Sequence, residues 1–326
     1  MGNDIDIFDF ELEKRKHRAF LLKSIGFYGR VITFIELIER LAQQNFLKPK
    51  FINNKRKIYC QSIGMDASVY SLKGIVQLCE IGDVVDAFTL VRKIRDNLYL
   101  DLFFISESLN NKPTNYEFSK SLADMSQEEM FEEVMQYASA VLEAEEKNES
   151  IQSINQWFDG EYALKDSRNA RRQHFSFESY KRNIENKYPK LKECHDKYLR
   201  VLFSEMDNNL NNYVHSNGPS FISNDILNMN NDRFTEAVKD LLRLLDLVKR
   251  VFLIDLYFID STLFQTDDYM EAVEIGSEPF EGSQYYSIYQ IIEEFEKIDK
   301  EDHDLYNYLK DNNNYSMKCF YDAFDD

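Results

Sequence analysis

Glycine and proline are scarce in this sequence, with 10 and 5 among 326 residues. A chain so poor in turn-formers favours long helices over many short strands. The glycine-rich phosphate loops of common nucleotide enzymes are missing, with neither G-x-G-x-x-G nor a Walker sequence. There is no G-x-S-x-G elbow and no H-E-x-x-H helix. Only five histidines occur, which disfavours His-cluster metal chemistry. The four cysteines, Cys60, Cys79, Cys194 and Cys319, form no C-x-x-C pair. Their spacing suits neither zinc nor a disulfide framework, and fits reduced thiols. Cys194 and His195 are neighbours in sequence, but adjacent helical residues diverge and do not converge on one metal. No metal and no cofactor is expected.

Long apolar runs are also missing. The best candidate for a membrane span, Val251–Phe264, is interrupted by Asp255 and Asp260. The N-terminal residues are charged and carry no apolar stretch of the kind a secretory signal needs. Together these features predict a soluble, cytoplasmic chain with no membrane partner.

What the sequence does hold is apolar residues (44%), aromatic residues (20 Tyr, 25 Phe) and acid. The length and apolar content are enough for a substantial core without staples. The formal net charge is −18, which repels nucleic acid in bulk. The charge is uneven. From Thr266 to Asp326 there is no arginine, whereas Arg168, Arg171, Arg172, Lys181 and Arg182 crowd the middle of the chain. That middle could attract RNA, and the acidic faces could meet a basic partner protein.

Helical periodicity organises the chain. Apolar positions at helical spacing run through Ala19–Asn45, behind a charged lead-in over residues 1–17. Met65–Ile81 and Asp83–Leu109 read as two helices joined by a tight Gly82-Asp83 turn, with Asp83 as N-cap. The second is apolar nearly all round, yet carries Arg92, Arg95, Asp96 and Asp101. Such charges on a central helix require partners. Further helices are expected at Met125–Lys147, Leu191–Val214, Arg233–Phe264 and Tyr285–Ile298. Ser216-Asn217-Gly218-Pro219 is a helix stop. The expectation is an all-α multi-helix bundle over residues 64–264. A helical N-terminal extension (1–63) precedes it and an acidic C-terminal appendage (265–326) follows.

Two residue sets could carry chemistry. The first combines Arg95 and Asp96 with Asn212 and His215 at the end of the Leu191–Val214 helix. If the two helices pack antiparallel, a guanidinium and an imidazole face one cleft. Arginine clamps phosphate and histidine moves protons near neutral pH, which suffices for metal-free RNA cleavage through the ribose 2′-hydroxyl. The alternative is a structural network, with Arg95 paired inside the bundle and His215 capping its helix. The second set is Arg168-Asn169-Ala170-Arg171-Arg172-Gln173-His174, with the same chemistry or a solvated basic loop.

Arg168-Asn169…His174 fits the hallmark of the HEPN superfamily, an Arg followed after four to six residues by His. V-R-K-I-R-D-N-L (Val91–Leu98) and the helix end L-N-N-Y-V-H-S-N-G (Leu210–Gly218) resemble a group of HEPN-like, abortive-infection-like bacterial helical proteins across about Gly64–Phe264. In that helix end Asn209 stands six before His215, so the arginine comes from elsewhere, such as Arg95. The resemblance implies a homodimeric, metal-independent ribonuclease effector in bacterial anti-phage defence or toxin systems. In it His215 serves as acid/base, Arg95 as phosphate clamp, and Asn212 and Asp96 as orienting groups. The competing expectation is a non-catalytic sensor or scaffold subunit that binds a partner protein through its acidic faces.

Overall fold

A computed structural model describes residues 7–46, 62–110, 125–149, 151–152, 154, 176–214, 231–265 and 289–312. Among these residues the chain is all-α and contains no β-strand. None of the described helices is long and apolar enough to cross a membrane.

The N-terminal segment is helical from the first described residue. α1 (Ile7–Ser24) and α2 (Phe27–Phe46) divide what the periodicity of Ala19–Asn45 presents as one helix. The break falls at Gly26, whose φ of 70° no helix interior accommodates. The register of apolar residues carries across this corner, so periodicity alone does not reveal it.

α3 (Ile63–Ile81) and α4 (Val84–Asn110) form the hairpin expected from Gly82-Asp83. Gly82 takes φ 91°, and the Gly82 and Asp83 amides close on the Cys79 and Leu78 carbonyls. The Asp83 carboxylate then accepts from the Asp86 amide at 3.1 Å, capping α4. The two helices pack very closely at their far end. A Cβ on Gly64 would stand 2.0 Å from the Asn97 carbonyl oxygen. There Asp101 of α4, buried, accepts from the amides of Gly64 and Met65 at 2.9 and 2.6 Å. One of the embedded charges on α4 is therefore a cap for the start of α3, where unpaired amides and the helix dipole favour an anion.

α5 (Gln127–Lys147) begins with a reciprocal Ser126–Glu129 capping box. α6 (Phe177–Lys187) and α7 (Pro189–Cys194) meet at Tyr188, and α7 runs through a π-turn (His195–Leu199) into α8 (Arg200–Val214). α9 (Asn231–Asp260) is a 30-residue helix continued by a 3₁₀ turn at Ser261–Phe264. α10 (Tyr289–Glu301) and α11 (His303–Asp311) complete the described chain.

α4 sits at the centre, flanked by α3, α6, α8 and α9. The core is continuous from Leu22 to Leu309. The expected acidic appendage supplies part of it, because Ile291, Phe295, Ile298, Leu305 and Leu309 are buried in the same cluster. Phe295 packs tilted against Tyr257 and edge-on against Phe264. The buried Glu294 is gripped by Lys249 and Arg250 at 2.8 and 2.9 Å. Burial would raise the Glu294 carboxyl, but these two cations hold it below the ordinary carboxylate range.

Candidate functional site

Arg95, Tyr99 and Phe203, from α4 and α8, meet around Phe177, at the start of α6. On one side lies Arg95 of α4, its guanidinium carbon 4.0 Å from the ring centroid. On the other lies Tyr99, one turn further along α4, packed edge-on with centroids 4.6 Å apart. The all-round apolar pattern of α4 brings both residues inside, so both need polar partners.

Arg95 is only 4% exposed, and each of its three guanidinium nitrogens meets a carboxylate. Nε and Nη2 donate to Asp96 at 2.9 and 2.8 Å, and Nη1 donates to Asp207 on α8. The fork is thus filled by two carboxylates and its face is covered by an aromatic ring. Asp96 does orient the arginine, but toward the protein. Among the described residues Arg95 is thus paired inside the bundle, with its face against Phe177.

Arg92 differs. It lies one turn before Arg95 and reaches Asp96 only loosely, at 4.0 Å. Its Nη1 is buried and meets no hydrogen-bond acceptor among the described residues. α4 and α8 run antiparallel here, since Arg95 pairs with Asp207 while Tyr99, four residues later, and Phe203, four residues earlier, both contact Phe177. Arg92 therefore lies toward the Val214 end of α8. Asn212 is on that last turn, with its side chain outside the described residues; His215, Arg168 and His174 lie wholly outside them.

The second cluster was hidden from sequence reasoning. His195, at the head of the π-turn, is 2% exposed and stands between two carboxylates. Nδ1 faces Glu185 of α6 and Nε2 faces Asp255 of α9, each at 2.8 Å. Tyr99 donates its hydroxyl to the other oxygen of Asp255. Lys181 approaches Glu185 at 3.6 Å and covers the Phe203 ring. An imidazole with a carboxylate on each nitrogen carries both protons. Burial would lower its pKa, yet the Asp255 charge and the bonds to Asp255 and Glu185 outweigh burial and lift it to about 9. Burial likewise would raise Glu185, but His195 and Lys181 bring it below its ordinary value. Tyr99 is pushed well above the ordinary phenol range by burial and by Asp255.

This geometry decides what the cluster does. A doubly bonded imidazolium has no lone pair to accept a proton, so His195 is no general base. The four charges of Lys181, Glu185, His195 and Asp255 cancel, and they tie α6, the π-turn and α9 to α4 through Tyr99. π-turns interrupt the helical backbone ladder and concentrate where side chains need special placement. Here the turn seats the imidazole between α6 and α9. Asp255 was the legible signal, as a carboxylate interrupting the apolar stretch Val251–Phe264. Glu185 also borders a shallow groove of about 550 Å³ that includes Pro189, Lys192, Glu193, Asp196 and Lys197. A second crevice of about 320 Å³ lies between Lys14, His17 and Arg18 on α1 and Asn231 and Phe234 on α9. Among the described residues no group of three or more His, Cys, Asp or Glu side chains is arranged to hold a metal ion.

The chain matches no family model, no curated protein and no solved structure.

Proposed function

We propose that this chain is a non-catalytic helical interaction subunit, a sensor or scaffold whose acidic surface meets a partner protein. The observation that carries this reading is the internal use of the candidate chemistry. Arg95 is consumed by Asp96 and Asp207, and His195 by Glu185 and Asp255. Both networks join helices, and buried networks satisfied in this way fix one packing arrangement. The net charge of −18 acts in the same direction, favouring a basic protein over an anionic substrate.

A second reading is a HEPN-like, metal-independent ribonuclease of a defence or toxin system, working as a homodimer. What favours it is Arg92. Its buried Nη1 lacks an acceptor, and it lies toward the end of α8 that leads into His215. In this version Arg92 takes the phosphate-binding role and Arg95 only braces it, through the Asp96 that both contact.

One assay separates the two. Purified protein is incubated with total tRNA in EDTA beside His215→Ala, Arg92→Ala, His174→Ala and Arg168→Ala. The interaction reading expects intact RNA in every lane. Cleavage abolished by His215→Ala or Arg92→Ala would replace it with the ribonuclease reading. Cleavage abolished only by His174→Ala or Arg168→Ala would also overturn it, and would move the site to the basic segment.

A further inference from the structure

We infer that α5 is a docking helix for a basic, amphipathic helical segment of a partner protein. This inference rests on the interaction reading and assigns it a surface. α5 is well formed, with 21 residues and a capping box at its start, yet it packs extensively against no other described helix. A helix of this length normally owes its stability to burying an apolar face. Here the apolar face is in water. Phe131 is 67% exposed, Met135 53%, Val134 46% and Met130 39%. At about 100° per residue these four fall within an arc of about 140°. A contiguous patch of this kind on a soluble protein marks an interaction site. The spacing is that of the anchors an amphipathic helix lays into a partner's groove or against a partner helix.

Charge selects the occupant. The helix carries seven glutamates against the single Lys147. A second copy of α5 laid against the first would bring these two acidic rims together, and like charges across an interface oppose association. A segment with Lys or Arg flanking its own apolar stripe meets both features at once. Methionine suits the role, since its flexible, polarizable side chain adapts to different apolar partners.

The test uses the full-length protein and two synthetic helical peptides with the same leucine stripe, one flanked by lysines and one by glutamates. Binding is followed by fluorescence anisotropy at low salt. The Leu/Lys peptide is expected to bind at least tenfold more tightly than the Leu/Glu peptide. The double variant Phe131→Gln/Met135→Gln keeps the charge of α5 and removes two of the exposed anchors. It is expected to weaken Leu/Lys binding at least tenfold while leaving the melting temperature unchanged. Glu132→Gln/Glu133→Gln is expected to weaken it less, with a smaller salt dependence. Unchanged binding by Phe131→Gln/Met135→Gln would overturn the inference, since the peptide would then be held by acidity alone. A concentration-dependent dimer in sedimentation that this variant abolishes would overturn it in favour of a second copy. Both results are independent of the tRNA assay, so α5 can fail while the interaction reading stands, and the reverse.

Discussion

The strongest quantitative consequence of this structure is the dependence of stability on His195. In the unfolded chain its imidazole has the ordinary value of 6.5, and in the fold it is lifted to about 9. Each tenfold change in proton affinity is worth about 1.4 kcal/mol, so the full difference corresponds to about 3 kcal/mol. The sign follows from the direction. A raised histidine stabilises the fold wherever both states are protonated, so the whole contribution is present below pH 6.5. It declines as pH rises and falls to about 0.4 kcal/mol at pH 9. The residue is buried, so solvent screening takes little from this figure. His195→Gln keeps a donor and a similar volume but removes the charge, leaving the buried Asp255 without its cation and Glu185 with Lys181 alone. It is expected to cost about 3–5 kcal/mol at pH 6. The gap between wild type and variant should narrow by about 3 kcal/mol between pH 6 and pH 9. Urea unfolding at pH 6, 7, 8 and 9 measures this. Cys79 and Cys194, thiols that burial holds protonated in the fold, ionise in the unfolded state toward pH 9, but they do so equally in wild type and variant and cancel from the gap. If the variant does not fold, an NMR titration of the His195 ring in the wild type carries the test. A gap constant to within about 1 kcal/mol, or a His195 ring that titrates below 6.5, refutes the carboxylate–imidazolium–carboxylate arrangement.

Four further outcomes follow from the same packing. Arg95→Ala leaves Asp96 and Asp207 without their cation and uncovers Phe177. Both carboxylates are partly solvated, so thermal denaturation should show a loss of about 2–3 kcal/mol, which Arg95→Lys recovers only in part. Asp101→Ala strands the Gly64 and Met65 amides and should cost about 2–5 kcal/mol, while Gly64→Ala should cost about 1–3 kcal/mol by forcing α3 from α4; chemical denaturation measures both. Glu294→Gln leaves Lys249 and Arg250 without their shared anion, so limited proteolysis should cut the chain on the N-terminal side of α10 faster than in the wild type.

Most of the helices were legible because burial on one face imposes a 3.6-residue period on the sequence. The α3–α4 turn was legible to the residue, since Gly82 and Asp83 each have a local reason to be there. The break between α1 and α2 was not, because Gly26 interrupts the backbone without interrupting the apolar register. The charges of α4 could be recognised as needing partners, and that inference holds for Arg95, Asp96 and Asp101. Their partners could not be named. Asp207 is 112 residues from Arg95, and Gly64 is 37 from Asp101. The same reasoning applied to Asp255 would have flagged it, although nothing in the sequence connects it with His195 or Tyr99.

The sequence by itself therefore determined that this protein is helical, where most of its longer helices run, and that its central helix carries charges in need of partners; it did not place α1 from Ile7, α6 or α11. These are local properties, set by periodicity, caps and the desolvation of single side chains. Only the tertiary structure decided which charges meet. It turned Arg95 inward, protonated His195 by enclosing it between two carboxylates, and drew the acidic C-terminal helices into the core. It also left the apolar face of α5 in solvent. Each of these depends on elements distant in sequence arriving at one place, and a pairing energy exists only once they have arrived.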